Sequence, residues 1–137
     1  VGGLKVGMNV AVATPDGYKP DGAVLEFTKG YGDKFALETD PFMAASGADI
    51  LITDTWTSMG EEAEKEERKK IFKDYQINRQ LLAAANAGAM VQHCLPAYRG
   101  QEITEEVFEE HADEIFNEAE NRLHAQKAVM VKLMKKD

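Results

Sequence analysis

Cysteine is nearly absent: one thiol in 137 residues cannot close an internal disulfide, so the expected compartment is a reducing cytoplasm. It also excludes a CxxC zinc site. No apolar run approaches the roughly 20 residues needed to cross a bilayer, which argues against a membrane protein. The opening Val1-Gly2-Gly3-Leu4-Lys5 lacks the charged start and apolar core of a signal peptide. It also begins with Val in place of Met, so the initiator was removed or something longer was cut. Positive charge is scarce, with 16 Lys and Arg against 24 Asp and Glu for a net charge of −8. A chain of pI about 4.9 lacks the basic face that a phosphate backbone demands, so nucleic acid is not the expected partner. Gly2-Gly3 followed by Gly7 does not have the G-x-G-x-x-G spacing of a phosphate cradle.

What is present reads as one globular domain, 44% hydrophobic and 29% charged. Short apolar runs alternate with helical stretches, the pattern of a doubly wound, mostly parallel α/β sheet flanked by helices. Strands are expected over Met8 to Thr14, Lys34 to Leu37, Ala48 to Thr53 and Ala89 to Gln92, with Ile115-Phe116 as a last short one. The run Val10-Ala11-Val12-Ala13 suits burial on both faces. Helices are expected after the caps Asp21, Asp40-Pro41 and Thr104, over Glu61 to Tyr75 and Asn78 to Asn86, and from Glu118 to Lys135. Glu61 with Lys65 and Glu66 with Lys70 have the favoured i,i+4 order.

In such sheets ligand groups gather at the carboxyl ends of strands. That rule selects Asp54, His93 with Cys94, and Arg122 one turn into the last helix. Each also has a plain structural reading. Asp54 could start a turn, or a partly desolvated carboxylate there could hold a substrate ammonium. Ser58 and Glu61 form a capping box, or Ser58, Met59 and Gly60 form a loop that contacts a ligand. His93 and Cys94 could be core packing, since neighbours in a strand point to opposite faces and so make a poor nucleophile–base pair. Leu95-Pro96 could hold a cis bond. Arg122 could pair with Glu118 or contact an anion. Trp56 suits the core, and Glu105, Glu106, Glu109 and Glu110 a solvated face.

Taken together, Asp54-Thr55-Trp56-Thr57-Ser58-Met59-Gly60, His93-Cys94-Leu95-Pro96 and Glu118-Ala119-Glu120-Asn121-Arg122 resemble the carboxyl-terminal, ornithine-binding half of the ornithine carbamoyltransferase family. The resemblance runs the length of the chain, and the Ser-Met-Gly loop points to ornithine over aspartate or putrescine. It implies carbamoyl transfer from carbamoyl phosphate to the side-chain amine of L-ornithine, giving L-citrulline and phosphate. Asp54, Ser58 and Met59 would bind ornithine, while Cys94, Leu95 and Arg122 would bind carbamoyl phosphate, with Cys94 and Arg122 at the reaction centre. No metal or organic cofactor is implied.

The family's amino-terminal Ser-x-Arg-Thr-Arg and His-Pro-x-Gln motifs do not occur here. The resemblance therefore implies an ornithine-binding unit over 1–117 that lacks its first, central strand. A helix over 118–137 would pack on the absent carbamoyl phosphate-binding domain. Recruitment of the missing half, exchange of elements with a copy of itself, and survival as a piece of a cut enzyme all remain open, and the family suggests trimers. Two rivals stand beside this reading: a non-catalytic amino-acid-binding or regulatory fragment, and a carbamoyltransferase for another amine such as putrescine.

Overall fold

The computed structural model describes residues 1–57 and 64–135; Ser58, Met59 and the expected Ser58–Glu61 capping box lie outside them. The elements run α1 (Gly2–Lys5), β1 (Val10–Ala13), α2 (Gly22–Thr28), β2 (Phe35–Glu38), α3 (Pro41–Ala45), β3 (Ile50–Thr53), α4 (Lys65–Phe72), α5 (Arg79–Ala84), β4 (Met90–His93), α6 (Glu105–Glu110) and α7 (Ala112–Met134). Caps fix the helix starts as the sequence predicts. Asp21 accepts from the amides of Ala23 and Val24, Asp40 from that of Phe42, and Thr104 from that of Val107; Asn78, expected inside its helix, caps it instead through the amides of Gln80 and Leu81. Pro41 fills the first helical position, where no amide donor is needed.

Among the described residues the four strands form two separate parallel pairs, β1 with β2 and β3 with β4. The core belongs to the second pair. Val91, Ile103, Val107 and Ile115 are wholly buried, and Leu51, Ile77, Leu81 and Phe108 pack with them. Helix α7 packs on β4, and its Glu114 carboxyl accepts from the Val91 amide at 2.8 Å. The first pair is barer. No residue of β1 or β2 is fully buried and Ala11 is exposed, against the expected burial of Val10–Ala13 on both faces. Its main cover is the five-residue α3, which lies against both strands, whereas the 23-residue α7 covers β4.

Four further expectations change. Ile115 and Phe116 lie inside α7 and form no strand. Ile115 faces the core while Phe116 is half-exposed, and a two-residue apolar run cannot by itself distinguish helix from strand. That helix begins at Ala112 and not at Glu118. Glu66 pairs with Lys69 at 2.8 Å, and Glu64 with Arg68 at 3.0 Å; Glu61 lies outside the described residues. The acidic side of α6 is exposed but not merely solvated: Arg79 bridges Glu106 and Glu110, and Arg99 holds Glu109. No described helix is long and apolar enough to cross a membrane.

Candidate functional site

The site grows from the carboxyl ends of β3 and β4, which lie side by side in register, with Thr53 opposite His93. One step past each strand come Asp54 and Cys94, whose carboxylate and thiol lie within 4.8 Å of each other. From α7, 28 residues further on, Arg122 donates through Nη1 to the Cys94 carbonyl at 2.9 Å. Arg122 thus crosses to the sheet end and does not pair with Glu118. Three residues remote in sequence share one rim.

Beneath them is a buried brace. His93 is completely buried, as the alternation along β4 requires. Its Nδ1 accepts from the Leu95 amide at 2.9 Å, so the ring proton sits on Nε2 and faces Glu102 Oε1 at 3.0 Å. The same Glu102 oxygen accepts from the Tyr98 amide at 2.6 Å. This brace holds the turn after β4, where Leu95 has φ 55° and the Leu95-Pro96 bond is cis. A left-handed φ is disfavoured for a branched side chain, and the surroundings must impose it. Glu102 has no counterpart in the sequence reading. It follows a turn and carries no periodic signal, and only folding returns it to His93.

Burial pushes the Cys94 thiol up to about 11, helped by the carboxylates of Asp54 and Glu118, and opposed by Arg122. At neutral pH about one molecule in ten thousand then carries the thiolate. Cys94 is therefore suited to hydrogen bonding and unsuited to covalent attack. A ligating atom from each of Asp54, His93 and Cys94 lies within 4.8 Å of the others. Both imidazole nitrogens are nonetheless committed to Leu95 and Glu102, so His93 has no free nitrogen to offer a metal. Glu118 Oε2 is buried and has no hydrogen-bond partner.

Asp54, Thr55 and Trp56 also line a cavity of about 450 Å³ with Tyr18, Arg68 and Phe72. Trp56 stacks on Phe72, and Arg68 donates to the Trp56 carbonyl while lying over Tyr18. This aromatic wall fixes the chain just before the undescribed segment that carries Ser58 and Met59.

The family described as aspartate/ornithine carbamoyltransferase, Asp/Orn binding domain, matches residues 1–133. An ornithine carbamoyltransferase from Gloeobacter violaceus is 55% identical over 138 residues, covering 98% of this chain and 44% of that protein. The solved anabolic ornithine carbamoyltransferase from Campylobacter jejuni superposes with a TM-score of 0.84 at 45% identity, covering 90% of this chain and 42% of that one. The Pyrococcus furiosus enzyme gives 0.81 at 46%, covering 94% and 42%. The chain thus spans less than half the length of the relatives it matches.

Proposed function

The chain belongs to the aspartate/ornithine carbamoyltransferase family, and from that premise we propose that it supplies the ornithine-binding half of an enzyme that carbamoylates L-ornithine. The donor is carbamoyl phosphate and the products are L-citrulline and phosphate. The observation that carries this reading is the convergence of Asp54, Cys94 and Arg122 at one sheet rim.

The chemistry follows from charge. A side-chain amine of pKa near 10.4 is almost wholly protonated at neutral pH, yet only the neutral amine attacks a carbonyl. The Asp54 carboxylate suits the incoming ammonium, and the neutral Cys94 thiol beside it orients the amine as its proton leaves to solvent. The nitrogen then bonds to the carbamoyl carbon while the carbon–oxygen bond to phosphate breaks, and phosphate departs with the electron pair. Arg122 anchors one of its five N–H donors on Cys94 and offers others to the charge growing on the carbamoyl oxygen or the phosphate. Leu95, held by His93, borders the carbamoyl group. Ser58 and Met59 complete the ornithine contacts.

We place the rest of the catalytic surface in the length that the relatives carry beyond this chain. Segment 118–137 packs against that portion, because Leu123, Val129, Met130 and Leu133 are 53–80% exposed along α7. Assembly into homotrimers in the cytoplasm completes the proposal.

The test is citrulline formation by the chain combined with the remaining length of the Gloeobacter relative, offered ornithine, putrescine or aspartate. Turnover with ornithine alone is expected. Turnover with another amine, or ornithine binding without product, would replace this reading by one of its two rivals.

A further inference from the structure

Carbamoyl transfer removes two protons from the ornithine nitrogen. The first leaves the ammonium for solvent before attack. The second is lost as the nitrogen bonds to carbon and turns cationic, and this calls for an acceptor within the site. Helix α7 brings a candidate. Its face toward β4 is marked at two levels: Glu114 accepts from the Val91 amide at 2.8 Å, and Arg122 donates to the Cys94 carbonyl at 2.9 Å. Glu118 stands one turn from each on the same face, along the stretch of β4 that ends at Cys94. Its Oε2 is buried and meets no donor, although Arg122 lies at the favoured i,i+4 spacing. The guanidinium goes to Cys94 instead. The Glu118 charge also reaches the rim, being one of those that hold the Cys94 thiol up.

A desolvated carboxylate oxygen without a donor is costly to the fold, and its complement is a cation or an N–H group brought by a ligand. Asp54 is differently placed. It is exposed, and its Oδ1 already accepts from the Thr55 amide at 2.7 Å. Two carboxylates near one thiol thus sit in different environments, the basis on which such pairs divide holding from proton transfer. We propose that Glu118 is a further catalytic residue, its Oε2 accepting the second proton from the attacking nitrogen as the bond to the carbamoyl carbon forms. The nitrogen lone pair makes that bond while the carbonyl pair moves onto oxygen beside Arg122. Glu118 takes the proton, the oxygen pair returns, and the carbon–oxygen bond to phosphate breaks, phosphate departing with its electrons. The proton then passes from Glu118 to solvent. Glu118 has this role only if the chain serves carbamoylation of an amine, so the inference rests on that reading.

The test compares Glu118→Gln and Glu118→Ala with the parent, each combined with the remaining length of the Gloeobacter relative, by steady-state citrulline formation and by urea denaturation. Proton transfer to a placed side chain is worth about 10²–10⁴-fold, so both variants are expected to lose roughly a hundredfold or more in kcat. KM for ornithine and for carbamoyl phosphate should stay within about threefold, because the carboxylate acts after both have bound. Glu118→Gln should unfold at no lower urea than the parent, since it removes a buried charge that has no partner. A parent that makes no citrulline would overturn the ornithine reading itself. With an active parent, the Glu118 role alone is overturned if either variant keeps kcat within about tenfold, or if the loss falls on KM for either substrate, which would mark a binding contact. It is also overturned if the Glu118→Gln midpoint falls, which would mark a structural pair with the rest of the protein.

Discussion

Replacing Glu102 by alanine strips the acceptor from two donors at once, the partly buried Tyr98 amide and the fully buried His93 Nε2–H. Each orphaned donor costs about 1–3 kcal/mol, for a total of roughly 2–6 kcal/mol. The lower half of that range is expected, because wild-type Glu102 already carries a buried Oε2 without a partner, and alanine relieves that penalty. Glu102→Gln keeps an oxygen where Oε1 accepts both bonds and should stay within about 1 kcal/mol of the parent. Urea denaturation reads the difference: with a slope of about 1–3 kcal/mol per molar, the alanine variant should lose roughly 1–3 M in midpoint and the glutamine variant less than about 1 M. The brace argument fails if alanine costs nothing measurable, or if glutamine is as damaging as alanine.

Other outcomes follow from the same geometry. With its thiol pushed up to about 11, Cys94 should react with iodoacetamide at pH 8 roughly two orders of magnitude more slowly than a free cysteine near 9.0. Asp54→Asn removes a nearby negative charge that raises this value, so it should speed the reaction. The folded thiol also holds its proton where the unfolded one, near 9.0, has lost it. The stability from this group is therefore full below pH 9 and declines as pH rises from 9 to 11, which denaturation midpoints across that window should show. Ile115→Ala, at a wholly buried position, should cost about 2–5 kcal/mol in urea denaturation.

The strands and the rim were legible where a continuous apolar run ended in a polar residue. Ile50-Leu51-Ile52 leading to Asp54 and Met90-Val91 leading to His93-Cys94 each carried such a signal, as did the caps Asp21, Asp40 and Thr104. The sequence could not show that Arg122 bonds to Cys94, because a helical neighbour, Glu118, offered an equally plain local partner. Nor could spacing reveal Glu102, whose burial depends on a turn that returns the chain across nine residues to His93. Ile115-Phe116 misled for the opposite reason: a local apolar pair imitated a strand, and only its position under β4 decides for helix.

Differential alkylation of Cys94, in the chain combined with the remaining length of the Gloeobacter relative, tests most directly whether Asp54, Cys94 and Arg122 serve one ligand site. Saturating L-ornithine should slow the reaction, and Asp54→Asn should abolish that protection. Carbamoyl phosphate should protect too, and Arg122→Ala should abolish its effect while leaving that of ornithine. Alkylation at the same rate with and without either ligand would contradict the account.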